Sequence, residues 1–175
     1  MGEDDYPRGV EEWIENTTAL DRVKGIAAGR QQPISVAEVA EEAFVSKNTA
    51  RSHLERLTEY NILRAETRGG TTVYSANPRY TRFSAVEELL DEHDRAGLME
   101  LRSEIQERIE GWREEFDVEE REELCEAARK TEFSEETRGL INPYRQWGME
   151  EHRLSLVNEA LRSYEETNPT EPASA

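Results

Sequence analysis

A run of polar residues around position 48 carries side chains that can hydrogen-bond to the edges of nucleic acid bases. It combines an amide, a guanidinium, an ammonium and three hydroxyl groups, on Ser46, Lys47, Asn48, Thr49, Arg51 and Ser52. An asparagine can form two hydrogen bonds with adenine, an arginine can do the same with guanine, and each such pair discriminates by about 1–3 kcal/mol. No nucleophile motif, phosphate-binding loop or paired-carboxylate pattern appears, so we expect no catalytic residues and no enzyme.

The spacing of the apolar residues predicts that this run lies on a helix. Ser46 is a favourable N-cap, and the helix is expected to run to Tyr60. Ala50, Leu54 and Leu57 stand at positions i, i+4 and i+7, which puts them on one face. That face should pack inward, so the polar residues of the first two turns should face solvent.

Two helices are predicted before this one. Apolar residues recur every three or four positions from 10 to 27, which indicates one amphipathic helix that ends at Gly29. A short helix over about 36–44 should follow, because Ser35 and Glu38 form a capping box. Only a tight turn fits between it and the helix at 46–60, so these two helices must cross.

A β-hairpin is predicted after the third helix. Residues 63–67 and 72–76 alternate in polarity, and Gly69–Gly70 tolerates the positive φ angles of a two-residue turn. With that turn, the expected inward face consists of Leu63, Ala65, Thr67, Thr72, Tyr74 and Ala76. The expected outward face consists of Arg64, Glu66, Arg68 and Thr71. Arg68 at the tip is expected to be free to reach a partner.

This order of elements resembles a winged helix-turn-helix. The stretch ISVAEVAEEAFVSKNTARSHLERLTEYNIL, residues 34–63, is similar to the helix-turn-helix of the ArsR, TrmB and MarR-like regulators, and LRAETRGGTTVYSA matches their wing. The resemblance covers roughly residues 10–80 and implies a recognition helix at 46–60 in the major groove of double-stranded DNA, with the wing at 63–76 on the flanking groove. Besides the polar run, the expected DNA contacts are Arg64, Arg68, Gly69, Gly70 and Arg79.

The rest of the chain is predicted to be an acidic helical extension over 84–167. It should open with a second capping box at Ser84–Glu87, turn at Asn142–Pro143, and end in a loose tail over 168–175. Two apolar stripes run along it, one over 98–116 and one over 154–164. They either join two subunits of a homodimer or fold back as an intramolecular bundle. The expected fold class is therefore mainly α with a small β-hairpin, in a winged helix-turn-helix at 1–83 and a dimerisation extension.

Charge is distributed unevenly along the chain. The net charge of −17 divides into −4 over residues 1–29, +2 over 30–82 and −15 over 83–175. The one basic segment is therefore the one with the helix-turn-helix pattern. The chain has 19 Arg but three Lys, a composition that resembles the proteomes of salt-accumulating archaea. An acidic dimerisation tail on a mesophilic protein is the alternative.

Several classes of function are disfavoured by the sequence. No apolar run of membrane-spanning length or signal segment is present, so we expect a cytoplasmic protein. Cys125 is the single cysteine, and the pattern Asp91-x-His93 lacks a second histidine, so no metal or cofactor is expected. The expected function is sequence-specific DNA binding by a homodimeric transcription regulator. The alternative is a winged-helix adaptor that binds protein, and the sequence leaves any small-molecule effector open.

Overall fold

The structure is a computed structural model that describes residues 9–130 and 134–167, so the tail expected at 168–175 lies outside the described residues. Its fold is mainly helical with a small three-stranded antiparallel sheet, which confirms the expected mainly α class with a small β-hairpin. The chain divides into two compact units, residues 1–83 and 84–175. The first contains α1 (Val10–Asn16), α2 (Ala19–Gly29), β1 (Ile34–Ser35), α3 (Val36–Glu42), α4 (Lys47–Glu59), β2 (Leu63–Arg68) and β3 (Thr71–Ala76). Then come α5 (Pro78–Glu92), which crosses the division, α6 (Arg95–Phe116), α7 (Arg121–Lys130) and α8 (Ser134–Thr167).

The first helix predicted from the sequence is in fact two helices. Thr17 adopts an extended backbone and ends α1, and Thr18 caps α2. The Thr18 hydroxyl accepts a hydrogen bond from the Asp21 amide at 3.1 Å, while the Asp21 carboxylate accepts one from the Thr18 amide at 3.3 Å. The break leaves the first amides of α2 without an intrahelical partner, and this capping box satisfies one of them. The prediction of one helix over 10–27 was therefore wrong.

The α3–turn–α4 segment forms as predicted. Glu38 accepts from the Ser35 amide at 2.9 Å, which confirms the capping box that opens α3. The turn contains Phe44 with a φ of 54°, and the Val45 amide donates to the Ala40 carbonyl at 3.0 Å. Along α4, the residues at 50, 54 and 57 are buried, so the inward stripe is confirmed.

The hairpin is the main part of a sheet with the strand order β1-β3-β2. The two-residue turn sets the predicted register, in which Ala65 faces Tyr74 and Arg68 faces Thr71. Sequence reasoning missed β1, whose Ile34 pairs with Tyr74. Two residues are too few to show an alternating pattern, and their pairing depends on a partner forty residues away.

The inward face of the hairpin is buried only at its base. Leu63 and Tyr74 join the core of the first unit, but Ala65, Thr67 and Thr72 are exposed. The prediction that this whole face packs inward was wrong. The outer rungs of the hairpin extend past the apolar side chains of α2, α3 and α4 that form this core, so they have nothing to pack against.

The helix α5 begins six residues before the predicted capping box at Ser84. Proline is favoured at the first helical position because its missing N–H is not needed there, and α5 begins at Pro78. Asn77 accepts from the Arg79 amide at 3.1 Å and donates to the Asn61 carbonyl at 2.7 Å. The first turn is thus already capped, and Ser84 lies inside the helix. The capping box predicted at Ser84–Glu87 was wrong.

In the second unit α6, α7 and α8 enclose a core of their own. The α6 stripe buries Leu98, Leu101, Ile105 and Ile109, which pack with residues of α7 and α8. Trp112, near the C-terminal end of α6, stacks on Trp147 of α8 with ring centroids 6.1 Å apart. Among the described residues, the apolar stripes of α6 and α8 therefore pack against each other within one chain. None of the helices found in residues 9–130 and 134–167 combines the length and apolar content needed to cross a bilayer.

The turn predicted at Asn142–Pro143 was also wrong, because both residues lie inside α8. A proline within a helix loses one backbone hydrogen bond and costs about 3 kcal/mol. On both sides of Pro143, however, apolar side chains pack against the core of the second unit. These are Leu140 before it, and Tyr144 and the buried Trp147 after it. Burial on both sides outweighs the lost bond, so the helix continues.

Candidate nucleic-acid interface

The first turns of α4 present a hydrophilic surface with two different roles. Ser46 is the N-cap, its hydroxyl accepting from the Thr49 amide at 3.1 Å and lying 2.8 Å from the Thr49 hydroxyl. These two residues therefore position the helix. Lys47, Asn48, Arg51 and Ser52 are exposed. In the part of the chain that the structure describes, no hydrogen bond or ion pair engages those four side chains, so they are available to a ligand.

Among the available residues, the helical geometry separates two directions. Asn48 and Ser52 lie one turn apart on the pole of α4 opposite its buried stripe. Lys47 and Arg51 lie to one side of that pole, where they line a groove shared with the hairpin. We call it the helix–wing groove. Its volume is about 460 Å³, and the hairpin contributes Gly70, Thr71 and Thr72 to it.

The base of the helix–wing groove is fixed by Tyr74, which is only 5% exposed. Burial raises the pKa of the Tyr74 phenol above its ordinary value of 10.0, the Glu55 carboxylate raises it further, and the Arg51 guanidinium opposes both. The phenol therefore stays neutral at physiological pH. Glu55 also lines the groove and brings a negative charge to it, which disfavours a phosphate at that point.

The tip of the hairpin requires glycine at both of its turn positions. Gly69 has a φ of 55° and Gly70 a φ of 80°, backbone angles that residues with a side chain rarely adopt. A Cβ on either residue would meet no atom within 4 Å. Conformation, and not space, is therefore what selects glycine here. The open space also lets another molecule approach the backbone closely.

Arg68 is not free, which corrects the expectation for the tip. Its guanidinium lies 2.7 Å from the Glu66 carboxylate, because residues two apart on a strand share a face. Both side chains are largely exposed, at 60% and 47%. Exposed pairs of this kind contribute about 0–1 kcal/mol, so a phosphate can displace the carboxylate.

A second groove, on the outward face of the hairpin, gathers arginines that are distant in the sequence. This outer wing groove has a volume of about 610 Å³ and is lined by Arg64 and Arg68 from β2 and by Arg30 at the end of α2. Arg30 is bound to Glu42, and that hydrogen bond raises the pKa of its guanidinium. Sequence reasoning missed Arg30, because no local spacing relates it to a strand that begins 33 residues later.

The remaining predicted residue lies apart from both grooves. Arg79 is exposed in the first turn of α5 and lines neither of them. Asp91 and His93 belong to no potential metal site, since no group of three or more metal-ligating side chains forms among the described residues.

A family model defined for a family of unknown function, DUF7342, matches residues 17–166. The chain belongs to the DUF7342 family. No curated protein matches it. The DUF7342 span begins at Thr17 and ends inside α8, so it takes in both units and every residue of the two grooves. Because DUF7342 has no known function, the resemblance to ArsR, TrmB and MarR-like regulators stays a prediction.

Proposed function

We propose that this protein is a sequence-specific DNA-binding transcription regulator of the winged helix-turn-helix type, acting as a homodimer in the cytoplasm. The observation that carries the proposal is the helix–wing groove, where Lys47 and Arg51 of α4 and the glycine tip of the hairpin border one surface. A reading helix and a wing must approach the same duplex, so they must share a side of the protein. The groove supports this assignment because residues of α4 and of the hairpin line it together.

The proposed contacts follow from the geometry of each group. The major groove of B-DNA is about 12 Å wide and admits one helix, with the first turns of α4 reaching base edges. Asn48 and Arg51 are the proposed base readers, and Lys47 with the Gly70 backbone contacts phosphates. Arg64, Arg68 and Arg30 of the outer wing groove are proposed to follow the flanking strand, where Arg68 and Arg30 exchange their carboxylate partners for phosphates.

The acidic composition supports a setting of high salt, which we include in the proposal. The first unit has eleven Lys and Arg against thirteen Asp and Glu, so its overall field does not attract DNA. At about 1 M salt the screening length is about 3 Å, and only charges in contact matter. Under that condition the cations of the two grooves act locally, and the surrounding carboxylates have little effect.

The experiment that tests the proposal separates reading from phosphate contact. Sites are selected from a random DNA library at about 1 M salt, and affinities for selected and scrambled sites are then measured by fluorescence anisotropy. Asn48→Ala or Arg51→Ala should reduce the preference for the selected site by about 5- to 150-fold, from about 1–3 kcal/mol per base contact. Arg68→Ala should weaken binding to all sequences alike. Arg56→Ala is the control, since that guanidinium stays on α4 over the Tyr60 ring.

A second candidate function is a winged-helix adaptor that binds protein. The observation that favours it is the carboxylates of Glu55 and Glu59, which lie on the same exposed side of α4 as Asn48. These charges suit a basic protein surface better than a phosphate backbone. If no site is selected and all three variants behave like the parent, the adaptor replaces the regulator.

A further inference from the structure

The second unit has an apolar surface that its own core leaves uncovered. Between α7 and α8 lies a groove of about 830 Å³, lined by Arg121, Tyr144, Met149, Arg153 and Leu156 among others. We call it the α7–α8 groove. Met149 is 72% exposed, the highest exposure of any large hydrophobic side chain in the described residues. The α6 stripe is already buried inside the bundle, whereas this groove exposes apolar side chains.

Cations flank this apolar surface on both sides. Arg145 and Arg153 stand four residues before and after Met149, which places all three on one face of α8. Both arginines are exposed, and no ion pair joins either of them to another described residue. They are therefore available to carboxylates that approach the groove from outside.

A third cation, Arg121, lies across the helix and contacts three of its neighbours. The guanidinium of Arg121 lies 4.9 Å from the Tyr144 ring centroid, and its Nε is 2.9 Å from the Glu151 carboxylate and 3.2 Å from that of Glu122. It crosses α8 at Gly148, where a Cβ would overlap the guanidinium. Arg121 therefore forms one wall of the groove and already has carboxylate partners of its own.

The charge of these residues contrasts with that of the region around them. Residues 83–175 carry 26 Asp and Glu against eleven Lys and Arg, yet Arg145 and Arg153 line this groove without an ion pair to a described residue, while Arg121 is already paired with Glu122 and Glu151. Carboxylates on a partner would complement these two unpaired arginines, while its apolar side chains cover Met149. Two such grooves cannot face each other, because Arg145 and Arg153 would then oppose their own copies.

We propose that the α7–α8 groove binds the acidic surface of a second copy of this chain, so that Met149 becomes buried between carboxylate-bearing helices. The inference rests on the homodimer of the proposed function and names its interface. A second copy supplies the required charge, since carboxylates dominate the same unit. A two-fold arrangement uses the groove twice, once on each copy.

Salt gives this interface a distinctive behaviour. At about 0.1 M salt, the acidic second units of two copies repel each other over a screening length of about 10 Å. At about 1 M the length falls to about 3 Å, so the repulsion fades while direct Arg–carboxylate contacts and apolar burial persist. Dimerisation should therefore strengthen as salt rises, the reverse of an interface held by long-range attraction.

The test is sedimentation equilibrium of the full chain at micromolar protein, in low salt and at about 1 M salt. The parent should sediment at twice the 20.2 kDa of the chain, more completely at high salt. Met149→Asp, and separately Arg145→Glu with Arg153→Glu, should raise the dimer Kd about tenfold or more. The control is Arg102→Glu with Arg162→Glu, since those arginines line a different groove with Arg95. Circular dichroism checks that each variant keeps the helical content of the parent.

The outcomes distinguish this inference from the proposed function. A parent that is monomeric at both salts, or groove variants that dimerise like the parent and the control, would overturn the interface. Selection of DNA sites is measured separately. If the parent dimerises through the groove but selects no DNA site, the regulator fails and the interface stands.

Discussion

The most demanding prediction concerns Arg22, a cation at the junction of three elements. Its side chain is 7% exposed although arginine is rarely buried. Its Nε donates to the Ala43 carbonyl at 2.9 Å, and its Nη1 donates to the Thr17 carbonyl at 2.7 Å and to the Ile14 carbonyl at 3.2 Å. Arg22 therefore connects the α1–α2 corner to the turn that sets α3 against α4.

Replacing Arg22 with methionine keeps much of the side-chain length and removes the donors. Hydrogen bonds from charged donors contribute about 1.5–3 kcal/mol each. The bonds to the carbonyls of Ala43 and Thr17 are the shortest of the three. Their loss alone should reduce the free energy of unfolding by about 3–6 kcal/mol. The guanidinium no longer has to be desolvated and the Met side chain packs, so we expect a net loss of about 3 kcal/mol. For a unit of this size that lowers the Tm by roughly 12–24 °C.

Hydrogen–deuterium exchange followed by mass spectrometry is the suitable assay, because it reports the two units separately. In Arg22→Met, protection of the most slowly exchanging amides in 19–76 should fall about 100-fold, as expected from a loss of about 3 kcal/mol. Protection in 95–130 should stay as in the parent. Arg56→Met is the control, since Arg56 is exposed and its guanidinium lies over the Tyr60 ring at 5.6 Å. A loss under about 1 kcal/mol, or one equal to the control, would refute this reasoning.

Two further predictions concern the hairpin tip and the cap of α3. Gly70→Val should destabilise the first unit by about 1–2 kcal/mol and weaken DNA binding, whereas Gly69→Asn should be tolerated because asparagine accepts a positive φ. Thermal unfolding measures the stability of each variant and fluorescence anisotropy measures its DNA binding. Equal effects of the two substitutions would contradict the role of φ. The pKa of Glu38 is lowered from its ordinary 4.5 by hydrogen bonds from the Ser35 hydroxyl and amide. The cap thus stabilises the fold above pH 4.5 and loses its effect as the pH falls through the lowered value. Ser35→Ala should return the pKa toward 4.5 in a carbon-13 NMR titration, and an unchanged pKa would show that the cap is not the cause.

The elements that position the proposed reading surface could be predicted because their signals are local. The Ser35 capping box, the Ser46 cap and the stripe at Ala50 and Leu54 each depend on residues within one or two turns. The Gly69–Gly70 turn likewise fixes the hairpin register without help from distant residues. Each of these features agrees with the tertiary packing, which is the condition under which local reasoning succeeds.

The features that could not be predicted depend on packing between distant segments. The strand β1 exists because Ile34 pairs with Tyr74, and Arg30 joins the outer wing groove because the fold places α2 beside β2. Pro143 carries a local signal for a turn, but burial of Trp147 one turn later overrides it. At Thr18 a local signal was overlooked. The spacing of Thr18 and Asp21 is that of a capping box, but the apolar periodicity continues across it and favoured a single helix.

The two proposed surfaces follow one physical rule, in which local charge decides binding where net charge is screened. Lys47 and Arg51 line the helix–wing groove of a unit that has more carboxylates than cations. Arg145 and Arg153 flank Met149 on a unit that is far more acidic still. In dilute buffer the surrounding carboxylates would oppose DNA at the first surface and a second copy at the second. At molar salt that opposition is removed, while contacts within about 3 Å remain. DNA binding still loses affinity with salt through counterion release, but few phosphate contacts make that loss shallow. If both proposals hold, a dimer that strengthens with salt and DNA binding that weakens slowly should therefore be found together.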